Sequence, residues 1–113
     1  MITREEIAAA LSAVPGITGY PSSPSAIVAG AAWPAWAQTR WLNVAARQVQ
    51  WYIFVSLSSG SHEASVLEAD GLIEAVGVAL ADIGLGGLIV EPWFWATEPG
   101  QQPTAVLRFT AFD

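Results

Sequence analysis

The chain contains no cysteine in 113 residues, so a disulfide framework, a zinc–thiolate centre and a cysteine nucleophile are excluded together. Lysine is also absent, and with it any phosphate-binding loop of the lysine-bearing kind. The basic side chains are Arg4, Arg40, Arg47 and Arg108, set against ten carboxylates for a net charge of −6. Four scattered arginines cannot neutralise a run of phosphates, so gripping nucleic acid is not among the functions to consider. Charged residues make up only 12% of the chain while apolar ones reach 53%. Such a chain has too little charge to cover its own surface, which favours burial against partners.

The single histidine, His62, stands between Ser61 and Glu63 in "SGSHEAS". A catalytic triad converges from separate segments, and the Gly-x-Ser-x-Gly elbow is missing, so the serines read as helix caps and His62 as a first-turn residue. One histidine and no calcium-loop pattern leave no metal site, and "GLGG" at residues 84–87 lacks the full dinucleotide fingerprint. Glu91 and Glu98 are the one carboxylate pair that the final two strands could bring face to face, and nothing marks them as buried. No catalytic residue, cofactor or metal is therefore assigned, and the chain reads as a non-enzyme. "MITREEIAAALSAV" carries three charges and no long apolar core, so it does not read as a secretory signal. "GLIEAVGVALADIGLGGLIV" is interrupted by Glu74 and Asp82, against a membrane span.

What is present reads as one domain over residues 1–113. Thr3 and Glu6 have capping-box spacing, and Ile7, Leu11 and Val14 recur at helical intervals until Pro15-Gly16, which predicts a helix over residues 3–14. A short extended piece follows around Ile17 to Tyr20, then a short strand in "SAIVAGA". "ARQVQWYIFVSLS" predicts a strand over about residues 47–57. Both of its faces are apolar at the centre, Val49, Trp51, Ile53 and Val55 on one and Tyr52 and Phe54 on the other, so each needs a cover. A long helix follows, with an apolar stripe of Val66, Ile73, Val76, Leu80 and Ile83 and a stop at Gly84. "GLIVEPWFWATE" and "PTAVLRFTAF", joined by "PGQQ", predict a closing hairpin. The fold class is α+β: a mostly antiparallel sheet with an N-terminal helix and one long helix packed on it and a C-terminal β-hairpin.

Two features remain as candidate sites. Glu63, Asp70 and Glu74 fall on one side of the long helix and predict an acidic face exposed to solvent, or to the channel of a ring if copies form one, rather than part of the core. "GAAWPAWAQTRW" holds three of the six tryptophans around Pro34 and reads as a long connection of about fifteen residues rather than a central strand. Trp93 and Trp95 share a strand face and read as core, whereas Trp33, Pro34, Trp36 and Trp41 predict an interface, with a core plug as the competing reading.

The order of elements, with "SAIVAGAAWPAWAQTRW" ahead of the central "QWYIFVSL", "EADGLIEAV" on the long helix and a closing hairpin, resembles the tail terminator (tail completion) proteins of long-tailed bacteriophages. The resemblance covers nearly the whole chain. It implies a homohexameric ring in the virion neck, assembled in the host cytoplasm, that caps the tail tube protein, ends its polymerisation and meets the head connector. DNA would pass through such a ring without being specifically bound, which suits an acidic protein. Two alternatives are a head–tail joining protein of the same neck and a monomeric carbohydrate-binding module that stacks sugars on Trp33, Trp36 and Trp41.

Overall fold

The structure, a computed structural model, describes residues 2–57, 62–95 and 104–113, with the side chains of 62–66 left out. Helix α1 spans Arg4–Ser12. Thr3 caps it: its hydroxyl accepts from the Glu6 backbone N–H, and the Glu6 carboxylate reaches back to the Thr3 N–H, the expected capping box. Ile7 and Leu11 point inward and are fully buried. Strand β1 is the short pair Thr18–Gly19, and α1 lies so close upon it that a Cβ at Gly19 would collide with the Ala8 carbonyl oxygen.

Strands β2 (Ala31–Asn43) and β3 (Ala46–Ser56) form a long antiparallel pair. Helix α2 (His62–Asp82) follows, then strands β4 (Gly86–Trp95) and β5 (Thr104–Phe112), also antiparallel. Gly84 ends α2 in the left-handed region at φ +98, while the Leu85 N–H bonds the Leu80 carbonyl, a glycine-type helix stop of the kind its sequence implied. The five strands lie in the order β1-β2-β3-β5-β4, with only β1 to β2 parallel. The α+β architecture is thus as expected from the order of elements. The "PGQQ" turn, the capping serines before α2 and Glu98 lie outside the described residues.

One face of the sheet carries Val49, Trp51, Ile53 and Val55 of β3 with Leu107, Phe109 and Ala111 of β5. Helices α1 and α2 close this layer with Ile7, Leu11, Val76 and Leu80. The buried stripe of α2 differs slightly from the expected one: Leu72 packs inward, whereas Ile73 stands at its margin, 37% exposed. The side chain of Val66 is outside the description.

Two expectations are corrected here. "SAIVAGA" is not a strand, since after β1 regular structure resumes only at its last residue, Ala31. The tryptophan-rich stretch is not a connection but the thirteen-residue strand β2, second in the sheet. Pro34 is tolerated for a geometric reason. The Ala32 carbonyl accepts from Tyr20 on the outer side, so Ala32 and, two residues on, Pro34 turn their backbone polar groups away from β3. Beyond the two residues of β1 no strand among the described residues pairs with that edge, and the donor that proline lacks is one β3 never needed. The Pro34 carbonyl on the same edge accepts from Arg4 Nη1 at 2.9 Å.

Candidate functional site

The sheet face opposite the helices is aromatic. Trp33, Phe54 and Trp95 pack together with ring centroids 4.9 to 5.8 Å apart, and Ala31 and Val106 complete a second buried cluster. Tyr20 and Ile27, from β1's end and the segment after it, lie against this cluster. They supply the second cover that β3 required. Farther along the same face, Arg108 is ion-paired with Glu91 and sits 3.8 Å from the Trp93 ring centroid and 4.5 Å from that of Tyr52. The Arg108 side chain is 15% exposed, so the pair works in a partly desolvated setting where charge-assisted and cation–π contacts gain strength. Trp95 is partly buried and packs against this core, while Trp93 is 43% exposed and serves mainly as a plate for Arg108.

The far part of the β2–β3 pair extends past these covers and forms an arm. Its register holds an irregularity between Trp36 and Gln38, where Ala37 is the extra residue. Trp36 stands opposite Trp51, Thr39 opposite Val49 and Trp41 opposite Arg47. Residues directly opposite share a face, so the bulge brings Trp36 and Trp41 onto one side although five positions separate them. That side is the helix side, yet Trp36 is 61% and Trp41 65% exposed, because α1 reaches the arm only with Arg4 at its base. The Trp36 indole N–H donates to Thr39 Oγ1 across the bulge at 3.1 Å. The opposite side of the arm is polar, with Gln38, Arg40, Gln48 and Gln50. The result is an amphipathic strand pair whose apolar side is left largely exposed by the described residues.

Arginines frame that side. Arg4, at the start of α1, lies 5.2 Å from the Trp51 ring centroid, and Arg47 lies 5.8 Å from that of Trp41. Arg4, Trp36, Thr39, Arg47, Val49 and Trp51 together line a groove of about 250 Å³. At the tip, Leu42 and Val44 are also exposed, Val44 completely.

The four predicted interface residues therefore divide. Trp33, 1% exposed, and Pro34, fully buried, are part of this chain's own core, so the projecting-loop expectation is corrected for them and the core-plug reading holds for Trp33. Trp36 and Trp41 are accessible and share one face. Of the acidic set, Asp70 and Glu74 are exposed on α2, and the Glu63 side chain lies outside the described residues. Sequence reasoning missed Arg4 and Arg47, whose part depends on contacts with Trp51 and Trp41. The one signal for Leu42 and Val44 was the apolar tip beside Asn43, whose side chain accepts the Ala45 N–H in a tight turn.

The arrangement offers cations and flat apolar surface, groups of the kind found where proteins associate. Among the described residues no three carboxylate or histidine side chains converge to hold a metal ion, and no helix is long and apolar enough to cross a membrane. A scan against models of protein families finds no match, and neither does a comparison with curated proteins.

Proposed function

We propose that this chain is a structural protein of the neck of a long-tailed bacteriophage, a tail terminator whose copies form a ring on the end of the tail tube. The observation that carries this reading is the amphipathic arm, with Trp36 and Trp41 exposed on one face. Fully burying a large apolar side chain is worth about 1.5–3 kcal/mol, so two tryptophans with Leu42 and Val44 beside them form the centre of an interface. The chain's acidity and its low content of charge support the reading as well: copies gather by apolar contact while DNA slides past without sticking. Its role is assembly, with no reaction to catalyse. The tail tube protein and the head connector are the neighbours on either side.

The test has two parts. Tail-tube and portal genes should flank the gene for this chain. The purified protein, alone or with tail tubes assembled from the neighbouring gene, should form a closed homo-oligomer that stops tube growth. Binding to the portal but not to tubes would instead favour the head–tail joining role. A lasting monomer whose tryptophan fluorescence is quenched by oligosaccharides would replace the neck reading with a carbohydrate-binding module.

A further inference from the structure

The groove at the base of the arm is lined by Arg4, Trp36, Thr39, Arg47, Val49 and Trp51, with no carboxylate among them. In a chain with ten carboxylates and four arginines, a half-buried arginine is ordinarily held by an acid, yet no described carboxylate pairs with Arg4. Its Nη1 is anchored on the Pro34 and Pro21 carbonyls at 2.9 and 3.3 Å, and its guanidinium lies over Trp51. Nε and Nη2, the two donors along its other edge, make no hydrogen bond among the described residues. Such an edge is the fork that matches the two oxygens of a carboxylate. Glu6 of the same helix does not fill it, because its carboxylate is turned back onto Thr3.

Two more groups of the lining are donors in want of an acceptor. Thr39 Oγ1 accepts the Trp36 indole N–H, which leaves the hydroxyl its own proton to give. Trp51 is 7% exposed and its Nε1 has no acceptor, a costly state for a buried donor. Of the three described indoles in that state, Trp33 and Trp95 belong to the aromatic cluster across the sheet, and Trp51 alone lines the groove. Trp36, Val49 and Trp51 add flat apolar walls. A volume of about 250 Å³ is just below that of pockets for drug-sized ligands and suits one ring with one anionic group. The adjoining hollow, which shares Arg47 and Val49, carries Asp113, so the anionic group belongs at the Arg4 end. We propose that this groove binds a small aromatic carboxylate, its oxygens on the Arg4 fork and its ring beside Trp36 and Trp51. The site goes beyond the neck role and does not depend on it.

Benzoate is the probe. Titrated into the purified chain, it should shift the indole N–H resonances of Trp36 and Trp51 in NMR spectra and leave those of Trp33 and Trp95 in place, with a Kd of about 1 mM or tighter. Benzamide keeps the ring without the charge, and acetate keeps the charge without the ring. Each should bind at least about tenfold more weakly than benzoate. Arg4→Gln should abolish the preference for benzoate over benzamide, and Arg4→Lys, which keeps the charge without the fork, should retain only part of it. Urea midpoints check that both variants are folded, and Arg4→Lys carries the test if the glutamine variant is not. An absence of shifts with benzoate, shifts spread over all six indoles, equal binding of benzamide or acetate, or an undiminished preference in Arg4→Lys overturns the inference. The titration uses no tail tubes, so its failure leaves the neck role standing, and a chain that binds benzoate but ignores tail tubes keeps the site and loses the neck role.

Discussion

The near and far halves of β2 are built from similar residues and meet opposite fates. Ala31 to Pro34 are buried without exception, whereas from Trp36 onward every second residue or more is exposed. Trp33 and Trp36 are three positions apart, yet one is 1% and the other 61% exposed. Nothing in their own chemistry separates them. The near half has α1 over one side and the Tyr20, Ile27 and Trp95 side chains over the other. Among the described residues the far half has β3 and, at its base, the Arg4 side chain. Tryptophan burial is decided here by what the rest of the chain can reach, and what it does not reach stays exposed.

The sharpest way to break that comparison is to truncate the two residues in turn. Trp33→Ala removes a fully buried indole from between Phe54 and Trp95 and should lower stability by about 3–5 kcal/mol, the scale of large aromatic deletions. Trp36→Ala should change it by less than about 1 kcal/mol, as expected of a mostly exposed side chain. Urea midpoints with unchanged slopes measure both. Equal losses would mean that the far half is as much core as the near one.

Arg4 joins the halves. It donates to the Pro34 carbonyl at 2.9 Å and to that of Pro21 at 3.3 Å, and covers Trp51 at the base of the arm. Arg4→Ala should lower stability by about 1–2 kcal/mol, combining a charge-assisted hydrogen bond with a half-exposed cation–π contact. Hydrogen exchange should speed up along the Trp51 end of the arm and leave the Val55 end protected. A uniform loss over the whole of β3 would show that the arm and the body unfold as one.

How much of this was legible beforehand follows from which contacts are local. The α1 capping box joins residues three apart, β3 is a continuous β-branched and aromatic run, and the α2 stop is a glycine in place, so each is readable in a window of sequence. Exposure of Asp70 and Glu74 was readable too, since both lie off the buried stripe of one helix. Strand β2 was not. Its tryptophans are spaced by three and five, a pattern with neither a helical nor a strand period, because the extra residue at Ala37 reverses the alternation midway. Pro34 and Gly30 added the marks of a loop, and only the pairing partners reveal that Pro34's side of the strand had no bond to lose. Arg4 is thirty positions from Pro34, and no pattern within α1 points there.

A smaller effect tests that account of proline. Pro34→Ala frees a backbone N–H that points away from β3, so no ladder bond is gained and the main change is a more flexible unfolded chain. Stability should fall by about 0.4–1 kcal/mol. A loss of several kcal/mol would mean that the ring itself fills the core in a way its neighbours cannot repair, and thermal unfolding distinguishes the two outcomes.

The smallest effect on folding is expected where the effect on association is largest. Trp36→Ser with Trp41→Ser removes two indoles whose larger part is in solvent, and with them the Thr39 hydrogen bond and the Arg47 contact. Exposed contacts of this kind are worth little, so the pair should shift the unfolding free energy of the isolated chain by no more than about 0.5 kcal/mol per site. The bulge at Ala37 and the strand register should persist, because Thr39–Val49 and Gln38–Gln50 pairing does not involve either indole. Self-association and addition to tail tubes should weaken by about 2 kcal/mol or more, the threshold of a hot spot. Sedimentation of the same sample used for the urea series compares the two quantities directly. If stability falls steeply while association is untouched, the arm is a structural brace; if association alone falls, the far half of β2 exists for its partner.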